Sequence, residues 1–230
     1  MNIKDTYTES TIVPSSRWGL IILAVASGII AAMQVGKVPP TLPTISNELE
    51  LTRTMAGLVA SLFFLVGALL GIAIGTLGDR LGEYKLLLMG LIFIIIGSLI
   101  GGLVPEGNVL LATRIIEGLG FMAIVVSAPK IVLNNAGPSD RSLAIGIWTT
   151  FMPVGIALVM VISPFLLNTI GWQGIWLFNS ALTAIYLVVL IFCYTTKGWI
   201  QKNKAEQLEF DWAGAKILIM RSGPWLFGAC

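Results

Sequence analysis

Histidine is absent from this 230-residue chain. That removes serine–histidine and cysteine–histidine catalysis, histidine-bound zinc and the commonest proton relay. Cysteine is nearly absent. Cys193 lies in an apolar run and Cys230 at the last position, which gives neither a disulfide framework nor a metal spacing. Charge is scarce too: 11% of residues are charged, against about a quarter in soluble domains. With 56% hydrophobic residues, the chain cannot hide its apolar surface from water by folding on itself, so it belongs in a membrane. A net charge of +2 with no basic run interleaved with aromatics excludes nucleic acid as a partner. No Gly-x-x-x-x-Gly-Lys-Ser/Thr run is present either, so no nucleotide cofactor is expected. No nucleophile–base pair or paired intramembrane aspartates point to an enzyme.

What the chain does contain is long apolar runs. A hydrocarbon core of about 30 Å needs about 20 helical residues to cross it. Six runs qualify, at Trp18–Val38, Met55–Leu77, Leu86–Val104, Val109–Ile131, Leu143–Leu167 and Gly174–Tyr194. The first mimics a secretory signal at Ala24-Val25-Ala26, but its apolar stretch continues to Val35, so it stays attached. In the second, Gly67, Gly71 and Gly75 recur four apart and predict a packing stripe. In the fifth, Gly146, Pro153, Gly155 and Pro164 predict a bend, readable either as a hinge or as a structural kink. The expected fold is an all-α membrane protein, a bundle of six transmembrane helices over residues 18–194. An amino-terminal tail (1–17) precedes it and a linker (195–212) follows.

Basic residues collect on the cytoplasmic side of membrane proteins. Lys4, Arg17, Arg80, Lys85, Lys130, Arg141, Lys197, Lys202, Lys204, Lys216 and Arg221 fall on one side of this topology, against Lys37 and Arg53 on the other. The expected orientation therefore has the amino terminus inside, in a bacterial-type inner (plasma) membrane.

The turn between the second and third spans is the densest polar stretch between apolar runs. It reads Gly75-Thr76-Leu77-Gly78-Asp79-Arg80-Leu81-Gly82-Glu83-Tyr84-Lys85. It resembles the fingerprint of the major facilitator superfamily: Gly, three residues, Asp, Arg or Lys, any residue, Gly, any residue, then two basic positions. Gly75, Asp79, Arg80, Gly82 and Lys85 match, and Tyr84 stands at the first basic position. Arg114-Ile115-Ile116-Glu117-Gly118-Leu119-Gly120 is similar to the family's fourth-span pattern, and Gly171-Trp172 falls where the family often places a Trp. The fifth span lacks the Gly-Pro and double glycine of the antiporter branch. The resemblance covers roughly Arg17 to Tyr194. It implies that Asp79 and Arg80 form charge contacts that latch helices on the cytoplasmic side, making this loop a gate. The competing reading is a turn that only sets topology.

The resemblance also implies twelve spans in two halves around a central solute site, of which this chain supplies the amino-terminal half. Residues 213–230 then read as the end of the linker and a cut-off start of a seventh span, beginning near Ser222-Gly223-Pro224-Trp225. The expected partners are membrane lipid, a small-molecule solute and a complementary six-span half. The alternative is a membrane fragment that does not transport.

Ionisable residues inside a bilayer cost at least about 2.5–3.5 kcal/mol on insertion scales and are functional candidates by default. Lys37, Arg114 and Glu117 qualify, with Lys37 expected near the outer end of the first span and Gln34 one turn deeper. Arg114 and Glu117, three apart on a helix, share a face and can pair. The expectation is that Gln34, Lys37, Arg114 and Glu117 face a central cavity, where surplus positive charge favours an anionic or polar organic solute. Trp148, Thr149 and Thr150 are further candidates for its lining. The competing reading is that Lys37 snorkels outward while Arg114 and Glu117 act as structural glue. Glu117 is the one carboxylate within a span and so the one obvious proton carrier.

Overall fold

The computed structural model describes residues 15–196, and over these it is built of helices. They are α1 (Trp18–Gly36), α2 (Val38–Glu48), α3 (Arg53–Leu81), α4 (Glu83–Leu103), α5 (Gly107–Asn135), α6 (Arg141–Thr149) and α7 (Phe151–Thr196). The expected linker beyond residue 196 and the start of a seventh span lie outside the described residues, as does most of the amino-terminal tail.

Among the described residues five helical stretches are long and apolar enough to cross a membrane, and the last of them, Arg141–Thr195, is two rods joined at a kink, which makes six rods in all. At Gly171 the backbone of α7 turns to φ 69° and ψ −178°, a conformation essentially restricted to glycine. The chain reverses there. Before the turn, Gly155 lies against Ile29 and Val159 against Gly36, so this arm runs parallel to α1. After it, Tyr186 meets Leu23 and Ser27 while Trp176 lies over Lys37, so the second arm runs antiparallel. Trp172, just past the turn, donates from Nε1 to Glu48 Oε2 at 2.7 Å and ties the reversal to the end of α2.

The first span is longer than its apolar run. The expected end at Val38 is followed by Pro39, Pro40 and Pro43, which cannot donate backbone hydrogen bonds. The structure instead restarts the helix at Val38, with Pro39 and Pro40 tolerated in its first turn and Pro43 inside it, and carries it to Glu48. Lys37 is therefore at a break between α1 and α2, 11 residues before the end of the helical stretch rather than near it. The fifth span breaks similarly at Thr150, just before Pro153: α6 stops at Thr149 and α7 starts at Phe151.

The polar turn is shorter than its sequence suggests. Helix α3 runs through Asp79 and Arg80 to Leu81 and α4 begins at Glu83, leaving Gly82, at φ 86° and ψ 149°, as the corner. The helix continues past the apolar run because water satisfies the side chains while the backbone ladder stays intact. The glycine stripe on α3 is only partly used for packing. A Cβ on Gly67 would fall 2.7 Å from Met122 Sδ, one on Gly71 would make ordinary contact, and Gly75 faces open space.

The core lies among α1, α4, α5 and the second arm of α7, around Leu20, Ile21, Leu91, Ile94, Ile124 and Leu190. Helix α3 packs chiefly on α5 and leaves Leu69 and Ile72 exposed; the first arm of α7 leaves Val161 and Phe165 exposed. Apolar side chains turned outward from a helix bundle suit hydrocarbon, not water.

Candidate functional site: an enclosed ion cluster

Four elements converge on one buried cluster. The last turn of α1 supplies Gln34 and the break after it Lys37, α4 supplies Ser98, α5 supplies Arg114 and Glu117, and the second arm of α7 supplies Trp176. The Lys37 ammonium donates to Gln34 Oε1 at 2.7 Å, Ser98 Oγ at 2.8 Å and Glu117 Oε1 at 2.6 Å. Its three protons are thereby all used. The Trp176 ring covers the same nitrogen, 4.4 Å from centroid to Nζ. Ser98 Oγ also lies 2.6 Å from Glu117 Oε1, to which it gives its proton.

Arg114 takes the other side of the carboxylate. Its Nη1 donates to Glu117 Oε2 and, at 3.3 Å, to the Gln34 carbonyl; Nε donates to the Val59 carbonyl at 3.1 Å. The guanidinium lies over the Phe63 ring. Arg114 thus reaches a carbonyl in the last turn of α1 as well as pairing with Glu117.

Gln34, Lys37, Ser98, Arg114 and Glu117 are each 0–1% exposed. The burial is complete within these helices alone. Gln34, Lys37, Arg114 and Glu117, which the sequence suggests face a central cavity, come together in one group enclosed by the described helices. Trp148 stands apart. It stacks on Phe151 and fills the space beside Gly28, nine residues before Lys37 on α1 and about 13 Å away at 1.5 Å per residue. Thr149 and Thr150 are exposed, their hydroxyls bonded to backbone carbonyls of α6.

At the opposite end of the bundle, Asp79 Oδ1 accepts from Lys130 Nζ at 2.5 Å, an exposed pair joining α3 to α5. Arg80 and Lys85 are exposed and Gly82 forms the corner. Ser16 donates to Asp140 and accepts from the Gly137 amide, and the Arg17 amide donates to the Asn135 carbonyl. This end therefore gathers Arg17, Arg80, Lys85, Lys130 and Arg141.

The model of the major facilitator superfamily matches residues 20–230. The chain belongs to the major facilitator superfamily. Among curated members it is 25% identical to the multidrug export protein EmrB of Escherichia coli over 207 residues, 89% of this chain and 40% of that protein. It is 26% identical to multidrug resistance protein 3 of Bacillus subtilis, over 92% of this chain and 40% of that one. The multidrug efflux pump LfrA of Mycolicibacterium smegmatis is 27% identical over 74% of this chain. The chain thus spans about 40% of the length of the first two relatives. A bacterial homolog of the human lysosomal transporter Spinster, in an inward-facing unoccupied state, shares the fold, with TM-score 0.66 and 20% identity over 76% of this chain and 42% of that one. These relatives are transporters, not enzymes, and the family and the apolar helices make this an integral membrane protein.

Two members of the cluster escaped the sequence reading. Ser98 is the one hydroxyl in the apolar run Leu86–Val104, and Trp176 follows the Gly171-Trp172 turn by one helical turn. A lone hydroxyl between Gly97 and Gly101, where neighbouring helices come close, was the available signal.

Proposed function

We propose that this chain is the amino-terminal six-helix half of a secondary transporter that moves a small organic solute across the plasma membrane, completed by a second six-span half. The observation that carries this is the ion cluster placed at the break in the first span, within a major facilitator half. A half of this family rocks against its counterpart around a central site. The break between α1 and α2 gives the first span a point at which to flex, and the cluster ties that point to α4, α5 and α7. The basic end, with the Asp79 turn, faces the cytoplasm under the positive-inside rule, and Gly75, Asp79, Arg80, Gly82 and Lys85 form the gating loop there.

Glu117 is the coupling carboxylate in this reading. A proton taken up by it replaces its charge contacts with Lys37 and Arg114 and leaves two cations without their anion, which favours opening of the cluster. The solute class follows less directly. Surplus positive charge favours an anionic solute, yet Lys37 and Arg114 are spent on Glu117, so an anion reaches them only once the cluster has opened. Gln34 would be met on the same path, and Trp148 belongs to a separate region of the half.

The test is flux into or out of vesicles carrying this chain with and without a co-expressed carboxyl-terminal half from a superfamily relative. Transport that requires both halves supports the reading. No flux under either condition favours a non-transporting membrane fragment.

A further inference from the structure

The groups around Lys37 Nζ share a chemistry that is independent of the lysine stem. A carboxylate oxygen, an amide oxygen and a hydroxyl oxygen lie 2.6–2.8 Å from one nitrogen, and an indole face covers it. All are buried. The acceptor count equals the proton count of a primary ammonium, and neither a guanidinium nor a quaternary amine would match it. Gln34 shows that the arrangement is built for a cation. Its amide turns Oε1 to the ammonium, as it must, and leaves Nε2 buried without a partner. Orienting the amide for the cation thus outweighs satisfying its own N–H groups.

We propose that the acceptor set of Gln34 Oε1, Ser98 Oγ, Glu117 Oε1 and the Trp176 face is a binding site for a primary alkylammonium group, which Lys37 occupies as a tethered ligand. The ammonium, not the hydrocarbon stem, holds α1, α4, α5 and α7 together at this point. The inference concerns binding and stability and stands whether or not the half transports.

Shortening Lys37 to alanine removes three carbons and the nitrogen, the atoms of n-propylammonium. The full-length Lys37→Ala chain, purified in detergent with n-propylammonium chloride, is expected to melt at least about 3 °C higher than without it. The gain should rise with amine concentration. n-Propanol and tetramethylammonium at equal concentration are expected to leave the midpoint unchanged. Lys37→Met, which keeps the stem and loses the ammonium, is expected to melt below the parent and to ignore the amine. If Lys37→Ala does not survive extraction, the yield of folded chain from cell-free synthesis into lipid vesicles, with propylammonium against propanol, is read instead. Equal effects of amine and alcohol, no effect of either, or a Lys37→Met chain as stable as the parent would each overturn the proposal.

Discussion

Replacing Glu117 by glutamine deletes one negative charge from a cluster in which it faces two cations. Lys37 and Arg114 are 0% and 1% exposed, so neither can turn to water for compensation. The amide still accepts from Lys37 and Ser98, so shape and most hydrogen bonds survive and the perturbation is electrostatic. Removing one partner of a buried ion pair costs about 3–5 kcal/mol, because the charge left behind stays desolvated. Two cations are stranded here, which places the effect at the upper end of that range. For a domain of this size about 1 kcal/mol shifts the midpoint by about 2–4 °C, so a fall of roughly 10–20 °C is expected. The assay is thermal unfolding in mild detergent followed by tryptophan fluorescence, since Trp176 lies over the cluster. Asp79→Asn is the control: its pair with Lys130 is exposed, and exposed pairs contribute at most about 1 kcal/mol. A Glu117→Gln chain melting within 2 °C of the parent would refute the claim that the cluster is buried and charged.

Other substitutions separate the packing claims. A Cβ at Gly155 would lie 2.3 Å from the Ile29 carbonyl oxygen, so Gly155→Val should push α1 and α7 apart and cost about 1–3 kcal/mol in detergent unfolding. Gly75→Ala meets nothing within 4 Å and should stay within about 0.5 kcal/mol of the parent or gain slightly from helix propensity. Gly171→Ala forces a side chain onto φ 69° and should lose about 1–3 kcal/mol. Trp172→Phe keeps an aromatic ring, removes the N–H that reaches Glu48 and leaves a small cavity where the larger, fully buried indole sat. At least about 1 kcal/mol of stability should go with it, and Glu48→Gln, which retains the acceptor, should lose less.

The number of crossings was legible because hydrocarbon imposes one period and one length on every span. Gly171-Trp172 marked the reversal before the sixth, and Arg114 and Glu117 were legible as a pair because three residues on a helix is a fixed geometry. Lys37 was harder to place. The apolar run stops next to it at Val38, and only packing shows the helix restarting there with the lysine turned inward. Whether a residue is enclosed or lines a cavity is a property of which helices surround it. That is why the four polar candidates were found but their setting was not, and why Ser98 and Trp176 were missed. Trp148, a candidate for the cavity lining on residue type, packs against Gly28 and Phe151, contacts that depend on which helices meet and so were not legible.

The most direct test of the account measures solute flux through both halves reconstituted together, comparing parent chain with Glu117→Gln at a temperature well below the variant's melting point and with equal amounts of assembled protein. A gradient-driven flux in the parent that falls at least about tenfold in Glu117→Gln is the outcome expected if the cluster couples the first span to transport. Equal flux from the two assemblies would contradict it.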